Sequence, residues 1–504
     1  MKAMICIWGD PSGWDLVKYN IEEVESENFK YSSKEYKSTL GALMELYDDV
    51  SILLFVASTL VKPNEPFKNY SEIIDNVKSK INEYLNNKEY CIDPKRIELK
   101  VLPGIGRFKD KNTGKIINFI GSVNAFRIAA SILSYEFISK VKPEILMLDI
   151  SHGINYMPVY IRQSVYDAFN AYIALNEIKN ARWIVYNSEP FNKGIKELRL
   201  NIVENIKIND LKAKNYLYNE FESLYSDKNF KAFKPDKGLS ESIKNWRKLN
   251  ELIIKFIRFS TMGQIIPLIE VMKDLTRIDH EKLVNELKKY SYIENCDDIV
   301  EIRSSNDITY VKYIYEPSYQ TVLMIFIKNI VEKLFSNKIT ENEYKIDDLE
   351  EIANKFINEP GRALVENEIS QIRDKVNLCN ELKMELSKWI PYRAIMEVGE
   401  NEIEFENKKI KLINLYRNYK DGKISENTFK EIINREKDRI QKRFEKFMEI
   451  REIDKIDKRN FIAHAGLESN ITLISLRNGE IYVKYSEEEK IQNQLKRILD
   501  KIVK

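Results

Sequence analysis

The chain has 504 residues, 43% of them hydrophobic and 31% charged, which indicates a folded protein and excludes an intrinsically disordered one. This length exceeds what one hydrophobic core supports, so roughly two to four domains are expected. Lys and Arg number 80 against 78 Asp and Glu, and the net charge of +2 excludes a global basic field for nucleic acid. Any contact with RNA must come from a local patch.

Cysteine spacing and apolar runs predict a cytoplasmic protein. Cys6, Cys91, Cys296 and Cys379 are far apart, with no CxxC pair and no adjacent histidine. Neither a metal site nor a disulfide framework is therefore expected. The longest apolar run, residues 50–61, has about a dozen residues, whereas a membrane span needs about twenty, so no membrane contact is expected.

From residue 1 to about 205, short apolar runs alternate with helical patterns. This alternation is typical of a Rossmann-like α/β domain, in which helices cover both faces of a parallel sheet. The predicted strands are residues 4–8, 51–56, 97–101, 145–150 and 183–186. The first two hundred residues are therefore predicted to form one α/β domain.

The helices of this region have recognisable start signals. Ser32 and Glu35 form a capping box ahead of the first predicted helix, and Ser71 is a candidate cap for the second. Residues 119–138 have a helical pattern, and Pro158 suits the first turn of the next helix. Such helices provide the connections that parallel strands need.

Small and polar residues follow the predicted strands. In open α/β sheets these carboxyl-end loops form the ligand crevice, and small residues there let backbone N–H groups approach phosphates. A phosphate-bearing ligand is therefore expected. The candidate ligand-binding residues are Gly9, Asp10, Ser12, Gly13, Ser58, Gly104, Gly106, Asp149, Ser151, His152, Gly153 and Asn155.

An ordinary dinucleotide or nucleoside triphosphate is not the expected ligand. No GxGxxG follows the first strand and no GxxxxGK[ST] occurs, so a cofactor-dependent oxidoreductase and a P-loop enzyme both lack their fingerprints. His152 has an alternative interpretation, because a loop histidine beside glycine is more often a hydrogen-bonded scaffold residue than a ligand contact.

Beyond residue 210 the pattern becomes mostly helical. The clearest apolar stripe consists of Leu249, Leu252, Ile253, Phe256 and Ile257, which predicts the core of a helical bundle. Residues 300–315 predict a small hairpin that turns at Asn306–Asp307. A long helix near residues 433–448 is predicted to bury Ile433, Ile440, Phe444, Phe447 and Met448. Its Arg and Lys side chains offer a local basic rim. Asn478–Gly479 predicts a second hairpin turn.

Arg459, Asn460 and His464 form the strongest candidate for catalysis. A neutral imidazole near its ordinary pKa of about 6.5, beside a permanently charged guanidinium, suits phosphodiester transfer in RNA. One group moves the proton of the 2′-hydroxyl while the other stabilises charge on phosphorus. Asp457 is a candidate helix cap just before them. Taken alone the spacing is equally compatible with a packed histidine and an arginine in a surface ion pair.

Together the two ends resemble the CRISPR-associated type III accessory ribonucleases, which join a CARF domain to a HEPN domain. The resemblance depends on the motifs GDPS at residues 9–12, PGIG at 103–106, DISHGIN at 149–155 and RNxxxH at 459–464. These motifs span nearly the whole chain in the expected order. We expect a CARF-like domain at 1–205, a helical linker or insertion at 206–387 and a mostly α-helical HEPN-like domain with a small hairpin at 388–504.

The resemblance implies a second-messenger ligand, with cyclic tetra-adenylate as the first expectation among cyclic oligoadenylates. Binding would activate cleavage of single-stranded RNA without a metal or other cofactor, leaving a 2′,3′-cyclic phosphate and a 5′-hydroxyl, in type III CRISPR antiviral defence. His464 would move the proton, Arg459 would stabilise the pentacoordinate phosphate and Asn460 would orient the pair. A homodimer is expected, since two copies supply two imidazoles and two guanidiniums; further association of dimers is left open.

An alternative function belongs to another class. CARF-like domains also occur fused to DNA-binding modules, so the chain could be a non-enzymatic nucleotide-sensing regulator whose helical half binds DNA or a protein. That alternative predicts salt-sensitive binding of duplex DNA and no effect of Arg459 or His464 on RNA.

Overall fold

In a computed structural model, the chain is described at residues 1–24, 28–62, 66–90, 92–110, 113–191, 194–225, 240–305, 307–335, 342–448, 456 and 458–503. Cys91, Asn306 and Asp457 lie outside these residues. The described chain forms two compact units. The N-terminal unit comprises Met1–Asn250 and Ile278–Ile330, and the C-terminal unit comprises Glu251–Arg277 and Val331–Lys504. The predicted domain boundaries near residues 205 and 387 remain predictions.

The strands are, in chain order, β1 (Lys2–Trp8), β2 (Lys18–Glu22), β3 (Phe29–Tyr31), β4 (Ser51–Ala57), β5 (Ile97–Leu102), β6 (Gly106–Lys109), β7 (Ile116–Ile120), β8 (Ile145–His152), β9 (Ala181–Ser188), β10 (Glu197–Ile208), β11 (Val300–Ser305), β12 (Ile308–Tyr313), β13 (Tyr344–Lys345), β14 (Ile390–Pro391), β15 (Glu402–Phe405), β16 (Lys408–Lys411), β17 (Thr472–Arg477) and β18 (Glu480–Tyr485).

The α-helices are α1 (Thr39–Leu46), α2 (Tyr70–Leu85), α3 (Val123–Val141), α4 (Met157–Leu175), α5 (Asp210–Tyr225), α6 (Ser240–Met262), α7 (Ile265–Thr276), α8 (His280–Tyr290), α9 (Gln320–Leu334), α10 (Ile346–Phe356), α11 (Gly361–Glu381), α12 (Tyr392–Gly399), α13 (Leu412–Lys420), α14 (Glu426–Met448), α15 (Lys458–Ala463) and α16 (Glu489–Val503).

A mostly parallel sheet forms the centre of the N-terminal unit. Within the described residues it has eight strands in the order β3-β2-β10-β9-β8-β1-β4-β5. The five strands from β9 to β5 are parallel to one another, whereas β10 is antiparallel to β9. Consecutive residues of β1 and of β4 are buried, and because their side chains alternate between faces, both faces of the sheet are covered. The predicted Rossmann-like architecture is confirmed.

Two predicted helix starts are wrong. The cap of α1 is Ser38, not Ser32. The buried Ser32 hydroxyl instead accepts a hydrogen bond from the Tyr19 amide at 3.1 Å. This bond joins β2 to the loop that follows β3. The cap of α2 is Asn69, one position before the helix, and the predicted cap Ser71 lies inside the first turn. Several oxygen-bearing side chains precede each helix, and only their backbone geometry selects one of them.

The helix predicted at 119–138 is wrong at its start, because β7 ends at Ile120 and α3 begins at Val123. Ile117 and Phe119 are buried with the alternation of a strand. In a four-stranded sheet of the order β11-β12-β7-β6 within the described residues, β7 pairs with the predicted hairpin at 300–315. That hairpin is confirmed. The strands β2, β3 and β10 were not predicted.

The C-terminal unit packs helices around a small sheet of the order β13-β18-β17-β14. The predicted hairpin β17–β18 is confirmed, and its turn residues Asn478 and Gly479 both have positive φ, at 52° and 81°. The stripe on α6 is buried as predicted. On α14, Ile440 and Phe444 are buried as predicted. Ile433 and Phe447 are half-buried, and Met448 is 36% exposed, so the predicted burial of Met448 is wrong.

The thiols of Cys6, Cys296 and Cys379 are buried and free. Across the part of the chain that the structure describes, no helix combines the length and apolar character needed to cross a membrane.

Candidate functional site

His464 lies at the end of the short helix α15. Its amide donates to the Asn460 carbonyl at 3.0 Å, which completes the last helical turn. The next residue, Ala465, has φ of 52°, and the amides of Ala465 and Gly466 return to the carbonyls of Ile462 and Phe461. This is a Schellman ending, which turns the chain sharply after a helix. His464 is therefore the last residue before a tight turn.

This turn is fixed by the surrounding C-terminal unit. Gln264 donates to the Ile462 carbonyl at 3.3 Å, and the Ile265 amide donates to the Ala465 carbonyl at 3.2 Å. The Tyr485 hydroxyl donates to the Gly466 carbonyl at 2.6 Å. Contacts from the start of α7 and the end of β18 thus hold the backbone on both sides of His464.

Glu368, on α11, binds the imidazole of His464. Its Oε1 lies 3.0 Å from His464 Nδ1, and the Glu368 side chain is 4% exposed while the His464 side chain is 37% exposed. The hydrogen bond to Glu368 raises the pKa of His464, although partial burial opposes it. Because Nδ1 donates to the carboxylate, Nε2 is the ring nitrogen available for proton transfer.

Further charges surround this pair. Glu468 is buried and also raises the pKa of His464, while the buried Lys375 lowers it. Burial raises the pKa of Glu468, which accepts hydrogen bonds from the amide and side chain of Asn470. Burial lowers the pKa of Lys375. Together these groups raise the pKa of His464, which favours positive charge on its imidazole.

Arg459 and Asn460 are exposed in α15. The backbone hydrogen bond from His464 to Asn460 brings those two residues into one turn, as their spacing predicts. Glu368 was missed because it lies 96 positions from His464 and belongs to no motif that the sequence displays.

The loops after β1 and β8 meet in the N-terminal unit. The Gly9 amide donates to the His152 carbonyl at 2.7 Å. A Cβ at Gly9 would lie 3.0 Å from the Ile154 side chain, and one at Gly153 would lie 2.8 Å from Pro158. These glycines allow the close approach of the loops, and the structure brings the predicted segments 9–13 and 149–155 together.

His152 is held in its neutral form. Its Nε2 accepts a hydrogen bond from the Thr39 amide at 3.1 Å, and its ring stacks on Trp14 with 4.0 Å between centroids. Burial lowers the pKa of His152 to about 4, although the nearby Asp149 opposes the shift. The buried Asp149 accepts from the hydroxyls of Thr39 and Ser151. His152 and Asp149 therefore fix α1 against the loop after β8.

Three predicted ligand residues, Ser58, Gly104 and Gly106, lie in or beside the loops after β4 and β5. The Ser58 hydroxyl is buried and accepts a hydrogen bond from the Gly104 amide at 2.9 Å. A Cβ at Gly104 would lie 2.5 Å from the Thr59 methyl group, so that position requires glycine. Gly106 begins β6 with φ of 124°. These residues hold the loops after β4 and β5 in place.

The remaining predicted ligand residues lie closer to solvent. Asp10 caps a short 3₁₀ helix through the Ser12 amide and pairs with Lys80 at 3.2 Å. Burial would raise the pKa of Asp10, but Lys80 and the Ser12 hydrogen bond outweigh it, so the pKa is lowered. Ser12, Gly13 and Asn155 are exposed, and Asn155 has a positive φ of 53°.

A cavity of about 470 Å³ opens beside these loops. Its lining includes Trp14, Lys37, Ser151, His152, Asn187 and Phe191. Trp14 lies in the loop after β1 and Asn187 near the carboxyl end of β9, where the strand pattern predicts a ligand crevice. Lys37 and Phe191 belong to no motif and were missed. Its aromatic rings, lysine and amide offer contacts for a base and a phosphate, while the carboxylates Asp15 and Glu189 also line it.

Comparison with known families matches both units. Residues 3–190 match the model described as CRISPR system endoribonuclease Csx1, CARF domain, and residues 358–488 match CRISPR system endoribonuclease Csx1, HEPN domain. The HEPN match contains Glu368, Arg459 and His464. The chain is also 25% identical to a CRISPR system endoribonuclease Csx1 of Methanocaldococcus jannaschii, over 97% of this chain and 90% of that protein.

These matches support an endoribonuclease over the non-enzymatic regulator considered as an alternative. The order of the two domain matches along the chain agrees with the order of the motifs. Their combined span exceeds half of the sequence. The chain belongs to the CRISPR-associated endoribonucleases that join a CARF domain to a HEPN domain.

Proposed function

We propose that a cyclic oligoadenylate bound by the CARF domain activates cleavage of single-stranded RNA by the HEPN domain, in type III CRISPR antiviral defence. CARF domains in general sense such ligands. We further propose that this cleavage needs no metal. Cyclic tetra-adenylate is the first activator to test.

One observation carries the catalytic part, namely the hydrogen bond between His464 Nδ1 and the buried Glu368. It directs Nε2 toward proton transfer. In the proposed step the 2′-hydroxyl loses its proton to an imidazole and its oxygen attacks phosphorus. The bond from phosphorus to the 5′-oxygen then breaks, and that oxygen takes up a proton. The products are a 2′,3′-cyclic phosphate and a 5′-hydroxyl.

Arg459 is proposed to stabilise the charge that develops on the phosphate oxygens, as a planar guanidinium does well. Asn460 is proposed to orient the turn. One imidazole cannot at once accept the first proton and donate the second. A homodimer with two such histidines across a two-fold axis resolves this, and we propose that assembly for the active enzyme.

The cavity beside the CARF loops is the proposed activator site. Trp14 and His152 offer stacked rings for an adenine, and Lys37, which pairs with Glu89 at 2.6 Å, is the proposed phosphate contact. The predicted binding residues Ser151 and His152 both line this cavity. Adenine stacking and phosphate contact are the two interactions expected of a cyclic oligoadenylate.

Replacing Trp14 by Ala is expected to raise the activator concentration for half-maximal RNA cleavage about tenfold, since stacking of a base on an aromatic ring contributes about 1–3 kcal/mol. The maximal rate should stay unchanged. Substitutions of Ser12, Ser151, His152 and Asn155 should act in the same direction. A dose–response curve for cyclic tetra-adenylate measures the shift. The exposed Tyr310 is the control, and a Trp14→Ala curve that overlays its curve would remove Trp14 from the site.

For activation from about 1% to 99%, the activator must favour the active state by about 5.5 kcal/mol. The activator site must therefore differ between the two states of the protein.

Incubation of labelled single-stranded RNA with the protein, EDTA and cyclic oligoadenylates of several ring sizes tests the proposed activation and its independence of metal. Cleavage with one ring size and with cyclic phosphate ends is expected. RNA left intact by every ring, or cleaved only when Mg²⁺ is restored, would refute it.

A further inference from the structure

A second cavity, of about 340 Å³, lies in the C-terminal unit near the His464 turn. Its lining combines aromatic rings, an arginine and polar groups, among them Trp389, Arg393, Phe447, Asn470 and Glu488. Ring faces beside a guanidinium are the combination that proteins use to hold single-stranded nucleic acid.

Arg393 differs from Arg417 and Arg443 in forming no ion pair within 4.0 Å among the described residues. Arg417 pairs with Asp374, and Arg443 pairs with Glu397. No carboxylate of the residues that the structure describes lies within 4.0 Å of the Arg393 guanidinium. Arg393 instead donates to the Asn470 side-chain oxygen at 3.1 Å. It is an exposed charge that is oriented by Asn470 and interacts electrostatically with Glu468 without direct contact.

The guanidinium also lies 5.1 Å from the centre of the Phe447 ring. This contact and the Asn470 hydrogen bond hold the side chain in one place and leave other N–H groups for a ligand. A planar guanidinium matches two oxygens of a phosphate. The preorganised Arg393 therefore suits a phosphodiester better than a mobile surface lysine does.

The cavity connects to the catalytic histidine through two residues. Asn470, which binds Arg393, also donates to Glu468 at 2.5 Å. Glu468 is buried and acts on the charge of His464. The Leu467 amide donates to the His464 carbonyl at 2.7 Å, so the chain passes from the catalytic turn into the cavity wall within a few residues.

Trp389 also lines the cavity. The Arg477 guanidinium lies 4.6 Å from its ring and the Lys484 ammonium 4.8 Å away. Both cations also pair with acids, Arg477 with Glu343 and Lys484 with Glu487. The indole is half-buried, so part of it remains accessible for a base.

We propose that this cavity binds a nucleotide of the RNA substrate that flanks the scissile phosphate. Arg393 contacts its phosphate, and Trp389 or Phe447 stacks on its base. The inference depends on the proposed cleavage of single-stranded RNA and adds a substrate-binding surface next to the reacting group. The Glu488 carboxylate also lines the cavity and would repel a phosphate beside it, so the phosphate is placed at Arg393.

Binding of a fluorescein-labelled oligouridylate to the full-length His464→Ala protein with cyclic tetra-adenylate tests the site. Adding Arg393→Ala should weaken binding about tenfold, and because one phosphate contact is lost, the slope of log Kd against log salt should fall by about 0.7. Trp389→Ala should weaken binding about tenfold without a change of slope. Arg417→Ala, which removes an arginine already paired with Asp374, is the matched control.

Arg393→Gln separates a phosphate contact from support of the loop, because its amide can still donate to Asn470 but has no charge. Affinity as weak as that of Arg393→Ala is expected. Unchanged affinity of Arg393→Gln, or binding by Arg393→Ala and Trp389→Ala equal to that of the control, would overturn the site. Melting temperatures identify any variant that fails to fold. Wild-type cleavage in EDTA is scored separately, so failure of the proposed function is distinguishable from failure of this cavity.

Discussion

Replacing His464 by Ala is expected to reduce the activator-dependent rate of RNA cleavage about a thousandfold. The imidazole is the proposed proton-transfer group, and losing such a group typically costs between about a hundredfold and ten-thousandfold. Arg459→Ala should reduce the rate about a hundredfold, because a charge-stabilising group near the phosphate is lost. Single-turnover cleavage of a labelled RNA at saturating activator measures both effects.

Matched controls exist for both substitutions. His280 lies in the N-terminal unit, and Arg497 is exposed on α16. Their Ala variants should cleave at the wild-type rate. Wild-type activity in His464→Ala and in Arg459→Ala, with the activator bound, would show that the catalytic assignment is wrong.

Glu368→Gln is expected to lower the cleavage rate about tenfold and to move the pH profile. Glu368 raises the pKa of His464 through their hydrogen bond, so removal of its charge lowers that pKa. If neutral His464 acts as base, the acidic limb of the profile moves to lower pH. If the imidazolium acts as acid, the alkaline limb does so. The direction is the same in both cases.

Glu366→Gln is the control for this substitution, because Glu366 is exposed on the same helix and pairs with Arg362. A pH profile of Glu368→Gln that coincides with the control profile would contradict the role of Glu368.

The ion pair of His464 and Glu368 also affects the stability of the fold. A raised pKa of His464 stabilises the fold below the ordinary histidine pKa, and this contribution is lost as pH rises through the raised pKa.

Apolar runs made the central sheet predictable. Residues 51–56 and 145–150 are nearly continuous apolar segments bounded by polar loops, and they form β4 and β8. Short or mixed strands were missed, since β3 has three exposed residues and β10 alternates with charged side chains. Such strands depend on neighbours that are distant in sequence.

The candidate sites were predictable only in part for a similar reason. Sequence identifies the loops at the carboxyl ends of strands, but it does not indicate which side chains face the cavity. Ser58 and Asp149 point into the protein and support the loops, whereas Trp14 and Lys37 line the cavity. Glu368 reaches His464 only through tertiary packing. Pairwise contacts of this kind leave no local pattern in the sequence.

Control of His464 by the CARF domain is tested most directly by one comparison of rates. The single-turnover rate of RNA cleavage in EDTA is measured for wild-type protein with and without saturating cyclic tetra-adenylate. We expect an increase of about a hundredfold in the wild type, as the active fraction rises from about 1% to nearly all molecules. Equal rates with and without the activator, at a level that His464→Ala abolishes, would contradict control by the CARF domain.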